Sequence, residues 1–493
     1  MAPSRPLGLL DLYSLSRHLA RPAPIYANVG LALLLRAAED NSVSWHDRVA
    51  AALPQLVTQY PALLSKITGC RTPQPTWTWI EDEVNVSSVL TVGPSLPDYE
   101  PRTVDAEFAR QLNDAVTPLD ERNPLWRMVI SPLADGRDDK TQILLTLTWS
   151  HCLTDGLGGT YIIQALLRVL NSPVHATGGD PASKISLSQS QKEDSFPASL
   201  EERIDTKASF WKALPYMLPT IWKPSYWAGT TPADASKPPR GILRTRAFPL
   251  AHFKSLCAQH GATIHSALEQ LAVRTLAECI ICREEKNSPP AATSSSSNDS
   301  QFLHTHTPVN LRPYCGIDAS ITSHELGNYV GRYAKHYRTA DYYHVSKDTA
   351  TTTTPPQRDF WADARAYRAE IAAAVPGIIT ETGLLKYVPI GPQYEAYWKK
   401  PLKICPMGRS VSYLTSNVGR LDFSSGGVDI AVVTVDRAVF GQVPGITSAA
   451  VIMNVISTAD TIYMTLSTQE GCVDATWLDE FWDIWSKNLA DLT

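Results

Sequence analysis

His151 is the one of the chain's 12 histidines that stands where an imidazole commonly does acid–base work. The segment Trp149-Ser150-His151-Cys152-Leu153-Thr154-Asp155-Gly156 joins an apolar, strand-like run to a glycine-containing turn and then to a helical pattern. Side chains at strand ends are commonly presented to a cleft. An imidazole titrates near neutral pH, so it can take a proton from a hydroxyl and give it up again. Asp155, four residues on, can fix the local structure, and Gly156, Gly158 and Gly159 let the backbone turn tightly beside the ring. On these residues alone two readings stand for His151, a general base and a structural histidine.

The spacing HxxxD is a weak signal, since roughly one chance match is expected in a chain of this composition. A second copy, His344-Val345-Ser346-Lys347-Asp348, precedes a Thr-rich stretch and lacks the strand before it and the glycine and helix after it. It reads as incidental. Gly156-Leu157-Gly158-Gly159-Thr160-Tyr161 begins like a dinucleotide loop, but Tyr161 stands where that loop needs a small residue. No GxxxxGK[ST] or GxSxG occurs, and Gly93-Pro94-Ser95-Leu96-Pro97 ends in proline where a nucleophile elbow needs glycine. Cys279 and Cys282 form a lone CxxC with no second pair at zinc spacing, so they read as two thiols on one helical turn and no metal is expected.

The elements that must position His151 are legible around it. Gln142 to Ser150 places Leu145, Leu147 and Trp149 on one face at period two, which predicts a strand. Ile162, Ile163, Leu166, Leu167 and Leu170 then share a helical face. Further on, Thr263–Ile281 reads as a helix, while 428–435, 446–456 and 462–467 read as strands. Trp477, Phe481, Trp485 and Leu489 mark a C-terminal amphipathic helix. Its acidic polar face favours docking on the core over lying on a membrane. Asn171–Ser199, Asn287–Ser300 and Thr349–Pro356 read as loops.

At 493 residues the chain is long enough for two lobes. We expect an N-terminal lobe over 1–195, a linker over 196–240 and a C-terminal lobe over 241–493, with part of 408–445 packing back on the first lobe. A hydrophobic fraction of 44% and a charged fraction of 19% are those of a globular protein. The net charge of −5 offers no basic field, so no nucleic-acid partner is expected. No apolar run reaches transmembrane length, and the N-terminus carries no signal-peptide core. A cytoplasmic monomer is the expectation, with peripheral membrane or lipid-droplet association left open.

Ser150-His151-Cys152-Leu153-Thr154-Asp155-Gly156 resembles the HxxxDG motif of the acyltransferases that include chloramphenicol acetyltransferase, the plant BAHD enzymes and condensation domains. Within that group the chain is most similar to the fungal alcohol acetyltransferase family. Arg5-Pro6-Leu7-Gly8-Leu9-Leu10-Asp11 resembles that family's opening, Pro308-Val309-Asn310-Leu311-Arg312-Pro313 its internal NLRP strand, and Ser416-Asn417-Val418-Gly419 its SNxG segment. The plant DFGWG signature is absent, and Asp436–Gln442 (DRAVFGQ) is a loose counterpart in a late loop. The resemblance implies an α/β (α+β), two-lobed chloramphenicol acetyltransferase-like fold with an active-site channel between the lobes. It implies a secondary-metabolism type of O-acyltransferase that moves an acyl group, by family default acetyl, from a coenzyme A thioester to a small-molecule alcohol. His151 would be the general base, in a direct transfer with no acyl-enzyme. Asp155 would point away from the reacting atoms and pair with an arginine, with Arg312 the candidate. Asn417 either donates to the oxyanion or caps a turn before Gly419. Gly156 completes the motif, Trp149 is core or channel wall, and Tyr413 is a candidate channel residue. A carrier-bound acyl donor and a silent binding relative are the alternatives.

Overall fold

The computed structural model describes residues 4–20, 28–37, 43–81, 83–114, 119–134, 142–172, 181–193, 196–211, 225–234, 236, 240–287, 302–317, 325–343, 358–387, 393–422 and 432–492. The second HxxxD copy, the Thr-rich stretch after it and residues 428–431 of the expected 428–435 strand lie outside these residues.

Two mixed sheets organise the chain. The first contains β2 (Asn28–Ala37), β6 (Leu90–Val92), β7 (Trp126–Ser131), β8 (Gln142–Ser150) and β14 (Val433–Gln442), in the order β14-β2-β8-β7-β6. The second contains β10 (Gly241–Pro249), β11 (Phe302–Asn310), β12 (Val330–Arg338), β13 (Val411–Arg420), β15 (Ala449–Ser457) and β16 (Thr461–Gln469), in the order β10-β16-β15-β13-β11-β12. Short strands β1 (Ser4–Pro6), β3 (Ser65–Thr68) and β4 (Thr76–Trp79) form a third sheet, and β5 (Val84–Asn85) pairs with β9 (Lys184–Ile185). The helices that matter below are α1 (Leu9–Leu19), α2 (Trp45–Gln59), α3 (Pro101–Asn113) and α4 (Gly156–Leu170). Two short helices, α5 (Gln189–Glu193) and α6 (Leu200–Arg203), are followed by α7 (Leu250–Gln259), α8 (Ile264–Asn287), α9 (Phe360–Gly383), α10 (Gln393–Ile404) and α11 (Ala475–Ala490).

Side chains alternate across a strand, and the second sheet sorts its residues accordingly. Leu303, Tyr413, Met453, Met464 and Leu466 share a core with Leu271 of α8 and Trp482 of α11. From the opposite face, Ile456 and Tyr463 join the core of the first lobe, which α2 and α4 fill with Leu53, Ile163 and Leu167. Each lobe is therefore a sheet with helices packed on it. The second sheet turns its other face toward the first lobe, where Tyr463 donates to the Asp436 carbonyl at 3.1 Å and Gln442 to Asn454 at 3.1 Å. Trp477, Phe481 and Trp485 of α11 are buried, so the C-terminal helix is docked on its own lobe. No helix among the described residues is long and apolar enough to cross a membrane.

Three sequence expectations need correction. Asn171–Ser199 is not all loop, since it holds β9 and α5. Asp436–Gln442 is no loop but most of β14, which pairs antiparallel with β2. Its Gly441 stands opposite Gly30, and a Cβ on either would press on Phe108 of α3, at 2.8 Å and 2.9 Å. The glycine there serves a close approach, which in sequence looks like a turn. Tyr413 does not line a passage. It is fully buried on the helix-covered face of the second sheet, with its hydroxyl 3.3 Å from the Met453 sulfur.

Candidate active site

β8 ends at Ser150, and the chain turns through His151–Thr154 into α4. Trp149 is wholly buried, donates its indole N–H to the Thr154 carbonyl at 3.2 Å, and so ties the strand end to the end of the turn. The small residues opening α4 answer to that packing. A Cβ on Gly159 would fall 2.1 Å from the Trp149 ring, and one on Gly158 would fall 1.8 Å from the Thr154 hydroxyl. We expect Gly159→Ala to destabilise the protein by about 1–3 kcal/mol, the usual cost of overpacking a filled site. Urea unfolding checks this, and an unchanged midpoint would show that the indole can give way.

Asp155 caps α4, accepting from Gly158 N at 3.0 Å. Its other oxygen accepts from Arg312 Nη1 at 2.7 Å and from Tyr329 N at 3.0 Å. Arg312 opens the turn after β11 and has no exposed side-chain surface. Its Nη2 donates to the Gly327 carbonyl at 3.2 Å, and its guanidinium lies over the Tyr329 and Tyr161 rings at 5.0 Å and 5.6 Å. Burial alone would raise the Asp155 pKa, but the Arg312 charge and the hydrogen bonds more than offset it, leaving the carboxyl below its ordinary value. Gly327 also accepts from Asp155 N and Thr154 Oγ1. It has φ +156, and a Cβ there would press on the Tyr329 ring at 2.9 Å.

His151 is only partly exposed, neither sealed in the core nor free in solvent. Its Nδ1 lies 3.0 Å from Asn328 Oδ1. The nitrogen end of that amide faces three acceptors, the carbonyls of His151 (2.9 Å) and Cys152 (3.3 Å) and Asp11 Oδ1 (3.3 Å). Asn328 must therefore present its oxygen to the ring, so Nδ1 carries the proton and the Nε2 lone pair is left for chemistry. Burial and then the Arg17 charge lower the His151 pKa, which favours the neutral ring near pH 7.

Asp11 links this pair to the start of the chain, accepting also from Arg5, Gly8 N and Trp77 Nε1 at 3.0–3.1 Å. On the same helix His18 is buried 3.3 Å from Ser150 Oγ, its pKa lowered to about 3 by burial first and Arg17 next. Arg17 itself lies over Tyr13 at 4.8 Å and Trp398 of α10 at 5.7 Å, and forms no ion pair with a carboxylate among the described residues. Cys152 is fully buried and its thiol pKa is pushed up, so it is no candidate nucleophile.

The predicted residues fall into two groups. His151, Asp155, Gly156 and Arg312 come together at the β8–α4 turn. Asn417 lies on β13 at an irregularity in its pairing with β15, and its Oδ1 accepts from Gly419 N at 2.8 Å, the turn-capping arrangement. The neighbouring Val418 packs against Gly156, where a Cβ would come within 2.8 Å, so this bulge abuts the start of α4. Sequence reading missed Asn328, Arg17 and His18, and gave Asp11 no role. No metal-ligating cluster exists among the described residues.

No curated protein matches the chain by sequence. Among solved structures, TRI3 trichothecene 15-O-acetyltransferase from Fusarium sporotrichioides superposes with a TM-score of 0.66 at 13% identity, covering 99% of this chain and 94% of that one. F. sporotrichioides TRI101, solved with coenzyme A and T-2, gives 0.54 at 12% identity, covering 99% of each chain. The condensation domain of the Monacolin K polyketide synthase MokA gives 0.58 at 10% identity over 99% and 96%. These likenesses establish the two-lobed α/β fold that those proteins share. The alcohol acetyltransferase family model matches residues 96–489, a span that holds the β8–α4 turn, Arg312, Asn328 and the β13 bulge, and the chain belongs to that family of acyltransferases.

Proposed function

We propose that the enzyme transfers an acetyl group from acetyl-coenzyme A to the hydroxyl of a small-molecule alcohol, directly, with His151 as general base. The observation that carries the mechanism is the Asn328 amide, which fixes a proton on His151 Nδ1 and so leaves Nε2 as the base. The acceptor hydroxyl hydrogen-bonds to Nε2. As its oxygen attacks the thioester carbonyl, Nε2 takes the proton. The tetrahedral intermediate collapses, the C–S bond breaks, and the imidazolium returns the proton to the departing thiolate. Asn417 has its oxygen engaged by Gly419, and its amide N–H groups are our candidate donors to the oxyanion. Asp155 and Arg312 hold the turn and take no part in proton transfer. The donor reading draws on the TRI101 complex with coenzyme A, and the condensation-domain likeness supplies the rival, a carrier-bound thioester.

Incubation with acetyl-coenzyme A and a panel of hydroxylated metabolites, read by mass spectrometry, tests this. An acetyl mass gain with matching free thiol supports it. Transfer only from a carrier-bound thioester would overturn the donor.

The electrostatics give a pH expectation. His151 must be neutral to act, and burial and the Arg17 charge hold its pKa below that of an ordinary histidine, so the acid limb of kcat/KM should lie at lower pH than an ordinary histidine would give. Arg17→Gln removes a positive charge that opposes protonation of the ring. The acid limb should then move to higher pH, and a limb that stays in place would show that Arg17 does not act on the base.

A further inference from the structure

Helix α1 runs along the turn that carries His151. Its Asp11 accepts from Asn328, whose oxygen holds the imidazole, and two helical turns later its His18 sits 3.3 Å from Ser150 Oγ. Arg17 stands at that second contact, and its charge acts on the rings of both His151 and His18. On its other side is Trp398 of α10, the helix that leads into β13 of the second sheet, and the Trp398 indole donates to Ser16 Oγ at 3.0 Å. The guanidinium is therefore placed where the two lobes meet, 4.8 Å from the centre of the Tyr13 ring and 5.7 Å from that of Trp398.

Arg5, Arg312 and Arg332 each meet a carboxylate, those of Asp11, Asp155 and Glu381. Arg17 meets none among the described residues, and its N–H groups have no hydrogen-bond acceptor there. Nor are those groups sealed. The side chain is only partly buried, and its nitrogens keep accessible surface. A cation over an aromatic ring uses up no N–H donor. The planar fork of donors is left for an oxyanion of matching shape.

We infer that Arg17 is an anion site for the acceptor: the alcohol that is acetylated also carries a carboxylate, which seats on this guanidinium while its hydroxyl reaches His151 Nε2. This rests on the reading of His151 as the base. The donor has oxyanions too, but the whole pantetheine arm separates its phosphates from the thioester carbonyl. With that carbonyl at Nε2, the phosphates lie far from a guanidinium beside the same ring. A carboxylate on Arg17 also cancels the positive charge that opposes protonation of the ring, so an acidic acceptor strengthens its own base.

The probes are 4-hydroxybutanoate, 6-hydroxyhexanoate and 8-hydroxyoctanoate with their methyl esters, titrated calorimetrically into the full chain without any acyl donor. At least one acid should bind saturably, about tenfold or more tighter than its ester, the worth of a hydrogen bond to a charged group. Arg17→Gln should bring that acid to the level of the ester and leave the binding of coenzyme A unchanged. If Arg17→Gln lowers the melting temperature, Arg17→Met, which keeps an apolar stem against Tyr13 and Trp398, is read in its place. Equal binding of acids and esters, no saturable binding by any acid, or acid binding that survives the loss of Arg17 would overturn the site. Weakened coenzyme A binding in the variant would assign the anion to the donor and overturn it as well. The two readings fail separately. Arg17-dependent acid binding by a protein that transfers no acetyl group would count against the reaction alone, and transfer to neutral alcohols with no preference for acids would count against this site alone.

Discussion

Replacing His151 with alanine lowers kcat by about 10²–10⁴-fold, the range a general base supplies, once a competent acceptor is in hand. The base acts as the proton leaves the hydroxyl, so its loss should appear in kcat and in kcat/KM alike, with KM for the thioester little changed. The substitution should also leave the fold intact. Among the described residues the ring's side-chain hydrogen-bond partner is the Asn328 oxygen, and Asn328 keeps its bonds to two carbonyls and to Asp11 when the ring is gone. An unchanged unfolding midpoint would therefore make the rate loss a statement about chemistry. Turnover near the parent rate would remove His151 from the mechanism, and the search for a base would begin again. The buried His18 would then be a poor substitute, since a pKa near 3 leaves its ring little tendency to accept a proton.

What could be read from the sequence follows chain distance. The strand, the turn and the helix that carry His151 are contiguous, so alternation located the strand over Gln142–Ser150 to the residue, while the helical spacing after Tyr161 placed the helix five residues late, its first turn being the glycines read as a tight turn. Arg312 was reachable only through a family motif, because it meets Asp155 across 157 positions. Asn328 lies 177 positions from His151, in a Gly-Asn pair that reads as an ordinary turn, and no local pattern says that its amide will meet an imidazole. Asp11 and Arg17 sit on α1, and nothing in its local sequence says which end of which strand it will cover. The β14 error has the same origin. Its partner β2 is some 400 residues earlier, and the register between them shifts at Val435/Arg437, so neither alternation nor the glycine could be interpreted without the neighbour. Tyr413 shows the limit of motif proximity. It stands four residues before Asn417, yet its side chain enters the helix-covered core.

Asp155→Asn should destabilise the fold by about 3–5 kcal/mol, the cost of leaving one partner of a buried ion pair behind. Asparagine caps helices as well as aspartate does, so the bond to Gly158 N survives and the loss falls on the other oxygen. That oxygen takes both Arg312 Nη1 and Tyr329 N. An amide nitrogen there sets a donor against two donors, and turned the other way it loses the Gly158 cap instead. The guanidinium meanwhile remains fully buried with its charge unmatched. Arg312→Lys should not spare the fold, since an ammonium cannot reach Asp155 and the Gly327 carbonyl together while keeping the guanidinium's contacts with the Tyr161 and Tyr329 rings. Asp155→Asn combined with Arg312→Met should be less damaged than Asp155→Asn alone, because the second change removes the stranded charge. The pH dependence has a fixed sign. The folded pKa of Asp155 is depressed, so its contribution is fully present above the ordinary carboxyl range, about pH 4, and is lost as pH falls through the folded value. The gap between parent and Asp155→Asn should accordingly narrow in acid. Urea midpoints at pH 7 and below pH 4 measure it. A gap under about 1 kcal/mol at pH 7 would mean that the bridge does not hold the turn, and that His151 owes its placement to Asn328 and the Trp149 packing alone.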